Sequence, residues 1–379
     1  MTKSQLGQFF TTNSDYILQG LEEFIKNKEI TDPFAGNQDL FGWAKKNKCK
    51  KIIGFDCDKK YTDDKKVFYD DSINSPKKYG FVLTNPPYLH KNKADKKTKD
   101  DFFSGIHSPF EDLYQISIYS ILNSEEGILI VPLNFLCAEN SKKIRNLFFE
   151  QFKIIKLNVF SQQVFDDTTY NVISFYYRRK KDFEDKNKIS ATIFPEKEKI
   201  SFVIERKFNW QLGGNFINQV KNAKNHLEIS RLTENFLKSG NCEAKMALQN
   251  IKEKKIFNVD ENIKNVLENN ILFLRAIDSK NGKKIQLEDI RKYDILGLVG
   301  KNTSRNMAHI IFGQKITIDK QKELMQEFNQ ELNRNREKYF SFFLTNFRDN
   351  GRKRISFNFA YKLLNYLYEQ KYSKQSTLF

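Results

Sequence analysis

The strongest local constraint in this chain is an apolar segment that runs directly into two consecutive prolines. Residues 79–84 read Tyr-Gly-Phe-Val-Leu-Thr, and Asn85-Pro86-Pro87-Tyr88 follows without a break. A proline fixes its φ angle at about −65° and lacks an N–H donor, and the residue before it is pushed into an extended conformation. The pattern predicts a strand that ends before Asn85 and a rigid turn that fixes the Asn85 side chain and the Pro86 carbonyl.

Strand-like and helix-like segments alternate through the first half of the chain. Strands are predicted at residues 51–56, 79–84, 127–132, 153–160 and 170–178, and helices at 13–28, 38–47, 110–123 and 139–151. This alternation is typical of βαβ units around a mainly parallel sheet, in which ligands bind outside the carboxyl ends of the strands. Because Asp32, Asp56 and Asn85 fall at strand ends, we predict an α/β domain with its ligand site at that edge.

Net charge divides the chain into two halves. Residues 1–190 carry +4 and residues 191–379 carry +13 of the total of +17. A near-neutral half joined to a basic half suits a catalytic domain linked to a domain that binds a polyanion. The alternative explanation is an AT-rich genome, which favours lysine codons anywhere. At the charged segment 180–190 we predict the boundary between a catalytic domain, 1–182, and a DNA-binding domain, 183–379.

Basic side chains in the second domain concentrate in two clusters, and long helices are predicted near residues 317–338 and 358–370. The candidate DNA-binding residues are Arg348, Arg352, Lys353 and Arg354 in one cluster and Lys301 and Arg305 in the other. Such clusters neutralise phosphates, and arginine can also read guanine edges; a solvated face is the alternative. The polar segment 90–101 is predicted to be a long mobile loop, and its lysine-rich part, 91–99, is predicted either to close over DNA or to become ordered on binding.

Composition and motif content disfavour several classes of protein. The chain is 39% hydrophobic and 29% charged and has no apolar run long enough for a membrane span, and we expect neither a span nor a secretory signal. G-x-G-x-x-G and G-x-x-x-x-G-K-[ST] are both absent, which disfavours a dinucleotide or a triphosphate. The cysteines lack metal-ligand spacing, so we expect reduced thiols, a cytoplasmic location and no metal: Cys49, Cys57, Cys137 and Cys242.

Two carboxylates precede the proline turn. Asp32 opens the turn Asp32-Pro33-Phe34-Ala35-Gly36, in which glycine lets the backbone approach a ligand, and Asp56 follows 24 residues later. An acid at the first position suits a ligand's amino group, and an acid at the end of the next strand is typical of ribose binding. Either one alone is more simply a surface or capping residue. In this order, and before Asn85, they indicate a ligand with a ribose and an amino group.

In this order, the motifs resemble those of the N6-adenine DNA methyltransferases of restriction-modification systems, especially the gamma group. The resemblance covers residues 5–178, less than half of the chain, and begins with Gly7-Gln8-Phe9-Phe10-Thr11-Thr12. It implies S-adenosyl-L-methionine as cofactor and a Rossmann-like methyltransferase domain followed by a C-terminal α+β DNA-recognition domain. The departure is Asn37-Gln38-Asp39, where the family more often has a second glycine or serine.

The resemblance assigns roles residue by residue. The cofactor-binding residues that it implies are Phe10, Thr11, Asp32, Ala35, Gly36, Asp56, Asp71 and Asn85. Asp70 is the alternative to Asp71 as the contact to the cofactor adenine. Asn85, Pro86 and Tyr88 are implied to orient and stack the target base, and Phe165 is either a second aromatic wall for that base or a core residue.

The implied reaction is methyl transfer to N6 of a flipped-out adenine in double-stranded DNA. We expect a monomer that works beside a separate cognate restriction endonuclease. The alternatives are methylation of RNA adenine, of cytosine N4 or of a protein glutamine, and a catalytically silent DNA-binding subunit. Asn85 in place of serine favours adenine over cytosine N4, the basic second domain disfavours glutamine, and the intact motif disfavours a silent subunit. A cytosine C5 enzyme would need a cysteine where Leu133 follows Pro132.

Overall fold

The structure, a computed structural model, describes residues 11–165, 171–279, 282, 284–339, 341, 343–346 and 352–373. The chain forms two compact units, the first ending at Gly214 and the second beginning at Asn215. Two of the predicted site residues, Phe10 and Arg348, lie outside the described residues. In the part of the chain that is described, no helix is both long and apolar enough to cross a membrane.

A nine-stranded sheet forms the centre of the first unit. Its strands are β1 (Glu29–Asp32), β2 (Lys51–Asp56), β3 (Val67–Tyr69), β4 (Tyr79–Thr84), β5 (Ser124–Pro132), β6 (Phe152–Phe160), β7 (Val172–Arg179), β8 (Lys186–Phe194) and β9 (Glu198–Glu205). They lie in the order β3-β2-β1-β4-β5-β7-β6-β8-β9. All pairs from β3 to β5 are parallel, β7 is antiparallel to β5 and β6, and β8 is parallel to β6. The predicted α/β fold with a mainly parallel sheet is confirmed.

Helices connect the strands of the first unit. They are α1 (Ser14–Ile17), α2 (Asp39–Lys46), α3 (Lys96–Phe102), α4 (Leu113–Ser120), α5 (Asn134–Cys137) and α6 (Lys142–Gln151). The central strand β4 is buried from Phe81 to Thr84, as is typical of an inner strand of a parallel sheet. Burial of that run anchors the residue that follows it, so Asn85 has a fixed position at the sheet edge.

Two predictions for the first unit are wrong. Residues 13–28 do not form one helix, because Gly20 adopts φ 77 and separates α1 from a short 3-10 turn at Glu22–Ile25. Residues 90–101, predicted to be a loop, contain regular structure. They contain a 3-10 turn and most of α3, which begins where the Asp95 carboxylate accepts a hydrogen bond from the Thr98 amide at 2.7 Å.

The first unit also extends further along the chain than predicted. The charged segment 180–190 leads into β8, whose residues alternate between exposed and buried from Lys186 onward. Because β8 pairs with β6 and β9 pairs with β8, both strands belong to the large sheet. The compact unit therefore ends at Gly214 and not at the predicted residue 182.

The second unit combines helices with mostly antiparallel strands. Its helices are α7 (Gly214–Lys221), α8 (Glu261–Glu268), α9 (Ile318–Lys338) and α10 (Phe357–Tyr368), and its strands are β10 (Ser230–Arg231), β11 (Ser239–Leu248), β12 (Lys254–Val259), β13 (Leu272–Arg275), β14 (Gln286–Asp289), β15 (Gly297–Val299), β16 (Met307–Ile311), β17 (Thr345–Asn346) and β18 (Lys353–Arg354). The sheet β10-β16-β13-β14 is antiparallel throughout. The two long helices predicted from the sequence are confirmed as α9 and α10, and they share an apolar core with β13 and β14.

Candidate active site

A cavity of about 510 Å³ lies at the carboxyl ends of β1, β2, β3 and β4. This is the edge at which open α/β sheets bind ligands, and the volume suits a small molecule. The walls are formed by Thr11, Asp32, Pro33, Phe34, Ala35, Gly36, Asn37, Asp39, Leu40, Asp56, Cys57, Asp58, Lys59, Tyr69, Asp70, Asp71, Ser72, Ile73, Asn85, Pro87, Lys97, Thr98, Asp101, Phe102 and Leu113. Four successive strand ends and helix α3 thus enclose one site.

Carboxylates dominate the charge of this cavity. Among the described residues, its lining includes seven aspartates and two lysines. An excess of carboxylates in a partly enclosed space favours a positively charged ligand over an anion. The described residues contain no group of three or more His, Cys, Asp or Glu side chains that could hold a metal ion. The excess of aspartates over lysines therefore gives the cavity the charge of a cation-binding site.

Asp32 is the most deeply buried of these acids. Its Oδ1 accepts hydrogen bonds from Thr84 Oγ1 at 2.6 Å and from the Phe34 amide at 3.1 Å. Burial raises its pKa to about 7, and the nearby carboxylates of Asp56 and Asp39 contribute to the increase. Near neutral pH this carboxyl is only partly ionised, so a cationic group beside it would favour the charged form.

Asp56 holds the turn after β1 against the end of β2. Its Oδ2 accepts from the Gly36 amide at 2.9 Å and its Oδ1 accepts from the Asp58 amide at 2.8 Å. Burial raises the pKa of Asp56 as well. Gly36 has φ 45, a conformation that suits glycine, and a Cβ on Gly54 would lie only 2.4 Å from the Ala35 Cβ. This close approach keeps the two strand-end carboxylates at one wall.

Asn85 is connected to the first turn of helix α2 through Thr11. Asn85 Nδ2 donates to Thr11 Oγ1 at 3.0 Å, and the Thr11 amide donates to Asp39 Oδ2 at 2.9 Å. All three residues line the cavity. Asp39 begins α2, so this chain of hydrogen bonds ties the amide of the proline turn to the first turn of that helix. No sequence pattern indicated the Asp39 contact, because it joins residues far apart in the chain.

Tyr88 is buried behind the turn. Its hydroxyl lies against Asn85 Oδ1 and against the Ile130 carbonyl oxygen, the latter at 2.7 Å, and its single proton serves these two acceptors. Its ring packs edge-on against Tyr114 with centroids 6.3 Å apart. Burial raises the Tyr88 pKa well above its ordinary value. In this conformation the ring does not belong to the cavity wall formed by the described residues.

Pro86 and Phe165 also lie outside the cavity wall. Pro86 is buried, whereas Pro87 lines the cavity. Phe165 is 2% exposed, and its carbonyl accepts from Gln163 Nε2 at 2.7 Å. Of the predicted catalytic and cofactor residues that are described, the structure brings together around the cavity Thr11, Asp32, Ala35, Gly36, Asp56, Asp71 and Asn85.

Asp70 and Asp71 both line the cavity. Asp71 caps its own turn, since Oδ1 accepts from the amides of Ile73 and Asn74, each at 3.1 Å, and Oδ2 accepts from Asn74 Nδ2 at 2.8 Å. Asp70 forms an ion pair with Lys77. Both carboxylates have partners and both retain acceptor capacity toward a ligand. Both carboxylates therefore present acceptor oxygens at the cavity lining.

Helix α3 contributes residues that the sequence prediction did not include. Lys97, Thr98, Asp101 and Phe102 line the cavity. The Asp101 carbonyl accepts from Asn74 Nδ2 at 3.4 Å, which links α3 to the turn after β3. The sequence does contain an indication of this helix, namely an N-capping aspartate followed by Thr98, Phe102 and the buried Phe103. The high lysine content of the segment made a loop the simpler prediction.

The described residues of the two predicted basic clusters come together in the second unit. The Ala276 amide donates to the Asn306 carbonyl at 2.8 Å, and the Ala276 carbonyl accepts from the Ile355 amide at 2.9 Å, so the clusters flank one residue. Lys301 and Arg305 are exposed. Arg352 and Arg354 are half-buried, while Lys353 is buried. The Lys353 side chain therefore does not contribute to the exposed basic surface.

A family model gives the first comparison with known proteins. Residues 3–165 match a family described as Eco57I restriction-modification methylase. The matched segment contains every residue that lines the cavity but spans less than half of the chain. No curated protein sequence matches the chain. In its first unit, the chain is therefore similar to restriction-modification methylases.

Solved structures give the second comparison. The type IIL restriction-modification enzyme MmeI, solved in complex with DNA, is 11% identical, with 93% of this chain and 64% of that chain covered and a TM-score of 0.50. A modification subunit of a putative type I restriction enzyme from Vibrio vulnificus is 14% identical, with 51% of this chain and 48% of that chain covered and a TM-score of 0.39. The chain thus spans about half the length of the Vibrio protein. At this identity, the similarity to MmeI is one of fold.

Proposed function

We propose that this chain is a DNA adenine methyltransferase that transfers a methyl group from S-adenosyl-L-methionine to N6 of an adenine extruded from double-stranded DNA. The observation that carries the proposal is the single cavity whose lining contains the buried acids Asp32 and Asp56 together with Asn85 of the proline turn. The family match over residues 3–165 supports a methylase of the restriction-modification type. In this proposal the chain acts as a cytoplasmic monomer beside a separate restriction endonuclease.

The residues of the cavity fit this cofactor. When bound, S-adenosyl-L-methionine supplies a methyl group on a positively charged sulfur. Seven aspartates in the lining match a ligand that carries a cationic sulfur and an amino group. In this proposal Asp32 would pair with the amino group. Asp56, whose two oxygens each accept one amide N–H, still has lone pairs that could accept from ribose hydroxyls. Asp71 or Asp70 would accept from the exocyclic amine of the cofactor adenine.

Asn85 is the proposed orienting group for the target base. Its Oδ1 and the Pro86 carbonyl would accept the two hydrogens of the adenine amine, which leaves the nitrogen lone pair directed toward the cavity. Thr11 fixes the orientation of the Asn85 amide, because Thr11 Oγ1 accepts from Nδ2. The contribution is orientation by fixed dipoles and needs no strong base.

Tyr88 is the proposed stacking partner of the extruded base. Removing a base from the duplex costs a few kcal/mol, and stacking on an aromatic ring returns roughly 1–3 kcal/mol. Because the Tyr88 ring now packs against Tyr114, stacking requires it to rotate as the base enters. Phe165 would serve as a second wall only if it also left the core, so we favour a packing role for Phe165.

The second unit is the proposed DNA-binding and target-recognition domain. Its exposed basic residues Lys301 and Arg305 and the half-buried Arg352 and Arg354 are the candidate phosphate contacts. Which of them also contacts base edges determines the recognition sequence, and that sequence would be read from mapped methylation sites.

The direct test uses the purified chain, tritium-labelled S-adenosyl-L-methionine and duplex DNA. We expect label in N6-methyladenine after digestion to nucleosides, and loss of that label in Asn85→Ala. The matched control is Asn92→Ala, an exposed asparagine in the following 3-10 turn, which should retain activity. Label in RNA, in protein or at cytosine N4 would contradict the proposal, as would full activity of Asn85→Ala. DNA binding without any transfer would support the silent-subunit alternative.

A further inference from the structure

The described arginines of the second unit, apart from Arg352, fall into two groups. Four of them pair with carboxylates, namely Arg275 with Glu288, Arg291 with Asp289, Arg334 with Glu331 and Arg336 with Asp278. By contrast, Arg231, Arg305 and Arg354 form no ion pair with any carboxylate of the described residues. A set of guanidinium groups held together without acidic partners has the chemistry of an anion-binding surface.

Arg231 joins the two basic clusters. Its Nη1 donates to the Ser304 carbonyl at 2.7 Å and its Nη2 donates to the Asn302 carbonyl at 2.6 Å. Its guanidinium also lies over the Phe357 ring, 4.9 Å from the centroid, at the first residue of α10. Arg231 therefore holds the loop of residues 301–306 against the start of α10, where the segment containing Arg354 ends.

Arg305 and Arg354 lie on the two sides of Ala276. The Ala276 amide donates to Asn306, which follows Arg305, and the Ala276 carbonyl accepts from Ile355, which follows Arg354. Ala276 is therefore hydrogen-bonded to the residue after each arginine. Burial lowers the pKa of Arg354, and the charge of Arg305 lowers it further. Two positive charges are thus held close together by backbone geometry, an arrangement that an anion between them would stabilise.

We infer that Arg231, Arg305 and Arg354 form one phosphate-binding surface for duplex DNA, in which Arg305 and Arg354 contact backbone phosphates and Arg231 is a positioning residue. The inference rests on the proposed DNA substrate and deepens it, because it assigns a role to Arg231 that the basic clusters alone do not show. Guanidinium groups match phosphate oxygens with two parallel hydrogen bonds. A surface that merely faces solvent would not need Arg231 to fix its loop through two carbonyls.

The test measures the affinity of the full chain for a fluorescein-labelled duplex of mixed sequence between about 50 and 200 mM NaCl. Each lost phosphate contact lowers the steepness of the plot of log affinity against log salt concentration by about 0.9. Between these two salt concentrations, the fall in affinity should therefore be smaller for Arg305→Ala and for Arg354→Ala than for the wild type, by a factor of roughly 3.5. Arg231→Met should lower this slope by more than the loss of one phosphate contact does, that is, by more than about 0.9. Adding Arg305→Ala to Arg231→Met should then change little, since Arg231 acts through that loop.

The matched control is Arg334→Ala, an exposed arginine of α9 that pairs with Glu331, and it should keep the wild-type slope. Thermal melts verify that each variant is folded. Slopes for Arg305→Ala and Arg354→Ala equal to the control would overturn the inference, as would additive effects of Arg231→Met and Arg305→Ala or tighter binding to single-stranded RNA than to duplex DNA. Methyl transfer is assayed separately. A protein that shows the expected slopes but transfers no methyl group would contradict the proposed function and retain the phosphate-binding surface.

Discussion

The substitution Asp32→Asn should stabilise the ligand-free protein above about pH 7 while it weakens binding of S-adenosyl-L-methionine. The Asp32 carboxyl is buried, and its pKa rises from 3.8 to about 7. One pKa unit corresponds to about 1.4 kcal/mol, so keeping this group ionised in the folded protein costs roughly 4 kcal/mol. The amide introduced by Asp32→Asn would retain an oxygen that accepts from Thr84 and from the Phe34 amide, and it would carry no charge.

The sign of the pH dependence follows from proton binding. Between pH 3.8 and about 7 the folded protein keeps a proton on Asp32 that the unfolded chain has released. Asp32 therefore lowers the free energy of unfolding little at low pH. Its destabilising effect grows as pH rises toward 7 and is constant above that. In Asp32→Asn this dependence is absent. Its stability relative to the wild type should increase by roughly 2–3 kcal/mol between about pH 5 and pH 8.

Urea unfolding followed by tryptophan fluorescence measures this difference. Both tryptophans, Trp43 and Trp210, are buried in the first unit, so the signal reports that unit alone. Titrating groups that do not interact with Asp32 contribute equally to both proteins and cancel in the comparison. A difference in unfolding free energy that is the same at both ends of this pH range would refute a buried Asp32 with a raised pKa.

Calorimetric titration with S-adenosyl-L-methionine tests the functional half of the same argument. Wild-type affinity should rise as Asp32 ionises through about pH 7 and fall again above about pH 8, where an α-amino group loses its proton. Asp32→Asn should bind more than about 10-fold more weakly, with no such rise near neutral pH. Equal affinities of the two proteins would refute pairing between Asp32 and the amino group of the cofactor.

Three further substitutions address the rest of the site. Thr11→Val should lower the methyl-transfer rate roughly 10-fold, because it removes the acceptor for Asn85 Nδ2. Thr11→Ser keeps a hydroxyl and should retain the rate. Equal rates for the two variants would contradict a role of Thr11 in positioning Asn85. Gly54→Ala places a Cβ 2.4 Å from a side-chain carbon of the turn after β1 and should destabilise the first unit by roughly 1–3 kcal/mol, whereas Gly80→Ala, with open space around its Cβ, should not; chemical denaturation compares them. Tyr88→Phe should lower the unfolding free energy by roughly 1–2 kcal/mol and keep most of the transfer rate, while loss of the rate would show that the hydroxyl itself is required.

Regular elements with a strong local pattern were predictable from the sequence. Strands β2 and β4 begin and end at the predicted residues 51–56 and 79–84, because each is a short apolar run bounded by polar residues or prolines. Helices α9 and α10 lie within one or two residues of their predicted starts and ends, since each carries apolar residues at helical spacing. The position of the cavity at the strand ends followed from these elements.

Contacts between distant parts of the chain were not predictable. The local geometry of the proline turn does not determine which way the Tyr88 side chain points, because packing against Tyr114 decides it. The hydrogen bond from Thr11 to Asp39 joins segments whose proximity only the folded sheet creates. The end of the first unit was placed too early, since strands β8 and β9 have charged residues on their exposed faces and resemble a linker in composition.

Helix α3 has a consequence for the dynamics of the site. It contains seven residues, too few to be stable alone in water, and it depends on the Asp95 cap and on the buried side chains of Thr98 and Phe103. A cavity wall built from so short a helix opens at a lower free energy than the sheet beneath it. Part of the binding free energy of a ligand that contacts α3 is therefore offset by the ordering of the helix. The rate of amide hydrogen exchange across residues 96–102 should then fall as the fraction of protein with an occupied cavity increases.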